Sequence, residues 1–94
     1  MNEIKLSGHV ANTYMNYKTD ALITTIYVFH DHVVGNQTMR CESKFTVVMT
    51  DYSKIKDVDI KKDDDVIVYG YLKEDVSPSN HKKCMIYATD IRRI

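Results

Sequence analysis

Ten consecutive residues, Ala21 to His30, read ALITTIYVFH, and the seven from Ile23 to Phe29 are all β-branched or aromatic. Such side chains lose χ1 freedom in a helix but pack well on a pleated surface. The run is far shorter than the ~18 apolar residues of a membrane span. It therefore predicts a strand, and the same chemistry recurs along the chain. Ile4-Lys5-Leu6-Ser7 alternates apolar and polar and continues through Gly8 to Val10, which predicts a first strand. Met39 to Thr50 (MRCESKFTVVMT), Asp65 to Leu72 (DVIVYGYL) and Cys84 to Ile91 (CMIYATDI) predict three more.

The intervening segments read as connections. Tyr14 to Asp20 is polar and predicts a loop, and Gly35-Asn36 within Asp31 to Thr38 predicts a hairpin turn. Asp51 to Val58 predicts a helical turn or two, capped by Asp51 or Ser53. Glu74 to Lys83, with Pro78 and Asn80, predicts a flexible loop. With 94 residues the expected organisation is one domain over 1–94. The expected class is all-β: a five-stranded barrel with a short helix between strands three and four, the element order of an OB fold.

Composition narrows the function classes. No run is long enough to span a membrane, and the Met1-Asn2-Glu3 start lacks the build of a signal peptide, so the expected location is cytoplasmic. Cys41 and Cys84 sit in separate strand-like stretches and are expected to be buried free thiols. No CxxC pair is present, which argues against a thioredoxin-type or Cys-based zinc site. Formal net charge is zero, unfavourable for a strongly electrostatic binder of nucleic acid. The charge is uneven, however. Residues 51–65 hold six of the thirteen acidic residues and four of the thirteen basic ones, leaving a surplus of two positive charges elsewhere.

Several segments together resemble one family. Leu6-Ser7-Gly8-His9-Val10 is similar to an "L-x-G-x-[VL]" opening strand. Phe45-Thr46-Val47-Val48-Met49 is similar to an aromatic leading into paired valines. Ile60 to Leu72 (IKKDDDVIVYGYL) resembles "L-x-K-G-D-x-V-x-V-x-G-x-L", and Ile86 to Ile91 resembles a closing strand. In this order they resemble the bacterial and phage OB-fold single-stranded-DNA-binding proteins and primosomal replication protein N. The resemblance implies binding of single-stranded DNA or RNA without sequence preference and without catalysis, in replication, recombination or mobile-element transfer. It also implies a homodimer or homotetramer and a helicase or other replication protein as partner. Asp63 or Asp64 stands where the family often has glycine, so a different turn is expected before strand four. There is no tryptophan to stack bases. The resemblance would also lead one to look for an acidic, glycine-rich tail after strand five; the residues from Arg92 to Ile94 are not of that kind, so a primosomal-protein-like or mobile-element variant is the expectation.

Alternation sorts the side chains. Val66, Val68 and Leu72 are expected inward with Gly70, leaving Ile67, Tyr69 and Tyr71 outward. Ile26 and Val28 are expected inward, leaving Tyr27 and Phe29 outward, while Phe45, Val47 and Met49 point in and Lys44, Thr46 and Val48 point out. Tyr27 and Phe29 beside Arg40 and Lys44 suit a single-strand platform, because bases stack on aromatic faces and cations follow phosphates. The same aromatics would equally cover a surface or build a dimer contact. Tyr69 and Tyr71 are expected in an oligomer interface or in plain packing. Tyr14, Tyr17 and Lys18 on the first loop, and Lys82 and Lys83 on the last, would flank an OB cleft or else pack locally and be solvated.

His30-Asp31-His32 places two imidazoles on one strand face, but no third ligand is near in sequence, so no metal site is expected. Asp63-Asp64-Asp65 reads as a solvated turn rather than a magnesium site. Gly8, Gly35 and Gly70 are too dispersed for a phosphate-cradling loop, and no nucleophile motif is present, so neither cofactor nor catalysis is expected. The rival reading is an OB-like adaptor that offers its tyrosine-rich face to a protein such as a helicase or relaxase.

Overall fold

The computed structural model describes residues 2–76 and 78–94. The elements run β1 (Ile4–Asn16), β2 (Ala21–Val34), β3 (Gln37–Met49), α1 (Tyr52–Ile55), β4 (Asp65–Val76) and β5 (Lys82–Arg93). The strands close into a barrel in the order β1-β2-β3-β5-β4, with β4 returning to β1. Four pairings are antiparallel. The fifth, β3 with β5, is parallel and has only two register pairs, Val47 with Ile86 and Val48 with Tyr87. This is the five-stranded barrel, with its helix between β3 and β4, that the sequence predicts. No helix among the described residues is long and apolar enough to cross a membrane.

Alternating inward positions from all five strands make the core: Val10, Ile26, Val47, Met49, Val66, Val68, Ile86, Ala88 and Ile91. Burying each of the larger aliphatic ones contributes roughly 1.5–3 kcal/mol. The buried Thr24 shares a 3.0 Å hydroxyl–hydroxyl hydrogen bond with Thr13, so its polar atom is not orphaned. Asp51 caps α1 by accepting from the Ser53 amide at 3.1 Å and the Ser53 hydroxyl at 2.6 Å. Beyond that cap, Ile55, Val58 and Ile60 pack against the core.

Strand boundaries differ from those expected. β1 runs on to Asn16, so Tyr14 lies in a strand and the connection shrinks to a turn. There Asp20 adopts φ 53° and the Asn16 side chain accepts from the Lys18 amide at 3.1 Å. β2 and β3 stay paired out to Val34 and Gln37, around a Gly35 with φ 61°. From Phe29 to Arg40 every side chain is exposed, so this is a two-stranded arm held by its backbone ladder, past the end of the core. Polar residues such as His30 and Asp31 hide such an arm from a burial-based reading. β4 and β5 form a second arm, pairing as far as Val76 and Lys82. Much of the expected 74–83 loop is therefore strand; of that segment Ser77 lies outside the described residues.

The arms explain several inward residues that are exposed. Leu72 (43%) and Phe45 (38%) lie toward the barrel ends, where no strand covers them. Cys84 is exposed and Cys41 half-buried, both as thiols on the arms rather than in the core. Val48 departs in the other sense. It lies outside the core cluster, yet it is only 7% exposed because Ile23 of β2 and Tyr87 of β5 flank it.

Candidate nucleic-acid interface

The outer face of β1, β2 and β3 carries the site. Tyr27 is register-paired with Lys44 of β3, whose Nζ lies 5.8 Å from the Tyr27 ring centroid. Two residues along β2, Phe29 carries the Arg40 guanidinium 4.8 Å above its ring. Each aromatic face thus has its own cation, close enough for a cation–π attraction. A groove of about 520 Å³ opens beside them, lined by Ser7, Gly8 and His9 of β1, Tyr27 and Phe29 of β2, Asp65 of β4 and Ile94.

The wall opposite the cations is acidic. His9 pairs in register with Tyr27 on one side and with Asp65 on the other. Its Nδ1 lies 3.2 Å from the Asp65 carboxylate and its Nε2 3.3 Å from that of Asp63. Only the imidazolium can donate to both. The bond to Asp65, reinforced by Asp63, holds His9 above the ordinary imidazole value of 6.5 against a smaller desolvation effect.

The turn that supplies these carboxylates is built, not merely solvated. Asp63 takes the left-handed conformation (φ 77°) that glycine would otherwise serve, one that aspartate tolerates better than most residues. Its amide donates to the Val10 carbonyl at 2.9 Å, and the Val10 amide donates to the Asp64 carbonyl at 2.8 Å. The Asp64 side chain, 13% exposed, accepts from the Lys61 amide at 2.9 Å. The glycine-to-aspartate departure therefore leaves a tight turn in place.

The structure brings four of the nine sequence-predicted binding residues together: Tyr27, Phe29, Arg40 and Lys44. Tyr14 is on the same face of the sheet, 52% exposed, but it pairs with Ile23, four residues (about 13 Å) down β2 from Tyr27. Tyr17 and Lys18 are further away still, exposed at the β1–β2 turn. Lys82 and Lys83 are on β5 at the tip of the second arm, where Lys82 lies 3.5 Å from Glu74, and neither lines the groove. Tyr69 has Lys5 Nζ 5.6 Å and the Arg92 guanidinium 5.7 Å from its ring centroid. Tyr71 stacks on Tyr87 at 5.8 Å, and the Tyr87 hydroxyl donates to Asp75 at 2.8 Å. His9 and Asp65 escaped the sequence reading. Alternation from Leu6, Gly8 and Val10 turns His9 outward, but only the strand register sets it between Tyr27 and Asp65.

Among the described residues no group of three or more His, Cys, Asp or Glu is placed to hold a metal ion. His30 Nε2 instead lies 2.9 Å from the Ser43 hydroxyl. The surface combines two aromatic faces, each with a cation beside it, and a carboxylate wall: planar groups can stack on the rings, while an anionic group is drawn to the Lys44 and Arg40 side and repelled from the Asp63 and Asp65 side.

Fold and groove together define an OB barrel with an aromatic, cation-flanked face. No family model and no curated protein matches the sequence. Solved structures do match. A Plasmodium falciparum single-stranded-DNA-binding protein, in complex with single-stranded DNA, superposes with a TM-score of 0.79 at 15% identity over 100% of this chain and 95% of that one. A small single-stranded-DNA-binding protein of Mycoplasma pneumoniae gives 0.65 at 14% identity, covering 98% and 92%. The Thermus aquaticus single-stranded-DNA-binding protein, as a deletion mutant, gives 0.72 at 13% identity over 100% of this chain and 50% of that one. At these identities the likeness is one of fold: this chain has the OB barrel found in single-stranded-DNA-binding proteins.

Proposed function

We propose that this chain binds single-stranded DNA along the outer face of β2 and β3, without catalysis, in replication, recombination or mobile-element transfer. The observation that carries the reading is the pairing of each groove aromatic with a cation, Tyr27 with Lys44 and Phe29 with Arg40. Bases stack on the rings for about 1–3 kcal/mol each, while the cations meet the phosphates between them. The fold likeness to proteins that bind single-stranded DNA supports the same reading. Net charge is zero, so stacking carries more of the affinity than charge does.

Fluorescence anisotropy with a labelled mixed-sequence oligonucleotide and its duplex tests this. With two phosphate contacts the log–log salt slope for a single strand is about −1.4, so affinity falls only about sevenfold between 50 and 200 mM salt. Tyr27→Ala with Phe29→Ala removes both stacking faces and weakens binding about thirtyfold or more. Absence of binding to any single strand at low salt, or a double variant that binds as well as the parent, refutes the proposal.

A further inference from the structure

The residues around Tyr27 form one transverse row. Register pairs set Asp65 beside His9, His9 beside Tyr27 and Tyr27 beside Lys44, crossing β4, β1, β2 and β3 on one outer face. Three strand spacings, about 14 Å, separate the ends of the row. One end is a cation, the middle is an aromatic ring, and the other end is a carboxylate. A row so ordered is polar with respect to a nucleotide. The phosphate is drawn to Lys44 and repelled by Asp63 and Asp65, so a base stacked on Tyr27 turns its Watson–Crick edge toward Asp65.

The Asp65 side chain is 72% exposed and faces the groove, and its Oδ1 lies 3.2 Å from His9. An ionised carboxylate has about four acceptor positions and no donor. His9 takes one of them. The others suit a base that carries an amino group on its edge, whereas a carbonyl there opposes acceptor to acceptor. Carboxylate acceptance from the N4 amino group of cytosine is an established mode of base recognition.

We infer that Asp65, at the acidic end of this row, gives the groove a base preference: cytosine, with its N4 amino group, is bound in preference to uracil or thymine at the Tyr27 position. The inference rests on the single-strand reading above and replaces its expected indifference to sequence at this one subsite.

The test compares short labelled oligo-dC and oligo-dU of equal length at neutral pH. The two bases have the same ring size, and the strands have the same phosphates, so the comparison isolates the edge. The expected result is a preference for dC of about tenfold, the lower part of the range for a good base-edge contact. In Asp65→Ala and Asp65→Asn, both checked for an unchanged circular-dichroism spectrum, the ratio falls toward one. Lys44→Ala weakens both strands alike and keeps the ratio. A wild-type ratio near one overturns the base-edge inference while leaving single-strand binding intact. A preference that survives both Asp65 variants also overturns it. Binding of neither strand overturns both readings.

Discussion

Replacing Gly70 by alanine is the sharpest test of how the barrel is closed. β5 carries one extra residue, Thr89, between Asp90 opposite Tyr69 and Ala88 opposite Gly70, and this bulge presses the β5 backbone onto Gly70. A Cβ there would collide with the Tyr87 carbonyl oxygen. It would also stand 2.9 Å from the Tyr87 carbonyl carbon and 3.0 Å from the Ala88 Cα. All three obstacles are backbone, so no rotamer relieves them, and β4 and β5 must move apart. Overpacking that forces backbone shifts costs about 3 kcal/mol at the upper end of the usual range. The stiffer unfolded chain returns about 0.4–1 kcal/mol of this. The net loss is about 2–3 kcal/mol, and at 4–8 °C per kcal/mol for a chain of this size the melting temperature falls by roughly 10–20 °C. Thermal unfolding followed by far-ultraviolet circular dichroism measures it. Gly35 provides the contrast. A Cβ there meets nothing within 4 Å, but its φ of 61° disfavours most side chains, so Gly35→Asn is tolerated where Gly35→Ala is costly. Gly70→Asn has no such escape. If Gly70→Ala melts within a degree or two of the wild type, the close-approach reasoning is wrong.

Two further predictions concern titrating groups. His9 has a folded-state pKa raised above its unfolded value of 6.5, so its bonds to Asp65 and Asp63 stabilise the fold fully below that value and are lost as pH rises through the folded one. The difference in melting temperature between wild type and His9→Ala therefore narrows from pH about 5.5 to about 8.5, and a gap that widens with pH contradicts the pairing. Asp51 is held below its ordinary 3.8, chiefly by the Ser53 hydroxyl, so its contribution is present above that value and is lost as pH falls through the lower folded one. Asp51→Ala lowers the melting temperature at neutral pH by a few degrees and Asp51→Asn keeps most of it, because asparagine caps nearly as well. Equal losses in the two variants would show that the cap is not what matters at this position.

The barrel was legible because its strands announce themselves by composition. Ala21–His30 and Asp65–Leu72 carry β-branched and aromatic residues at a density that leaves no other element open, and Gly35-Asn36 marks the hairpin between β2 and β3. The arms were not legible. His30 to Met39 is exposed throughout, its few apolar residues (Val33, Val34 and Met39) included, and its strand character resides in a backbone ladder that side-chain periodicity does not record. The same limit governs the groove. Tyr27, Phe29, Arg40 and Lys44 lie on neighbouring strands of one hairpin, whose register a two-residue turn sets, so local reasoning reached them. His9 and Asp65 meet them only through pairings that depend on barrel closure. Pro78 and Asn80 predict a flexible loop around Lys82 and Lys83. The β4–β5 ladder instead carries them out along an arm.

The parallel contact between β3 and β5 has a kinetic meaning. The β2–β3 and β4–β5 hairpins join residues close in the chain and can form early, whereas the seam brings Val47 to Ile86 and Val48 to Tyr87 across nearly forty residues. Two register pairs hold it, against thirteen between β2 and β3. With so few pairs the seam is the most weakly held join of the barrel, so its amides are expected to exchange with solvent at a lower free energy than those of the hairpin ladders. An opening there leaves the Tyr27–Lys44 and Phe29–Arg40 pairs intact, since both are held within one hairpin. The binding face can thus persist through fluctuations that momentarily unzip the cylinder behind it.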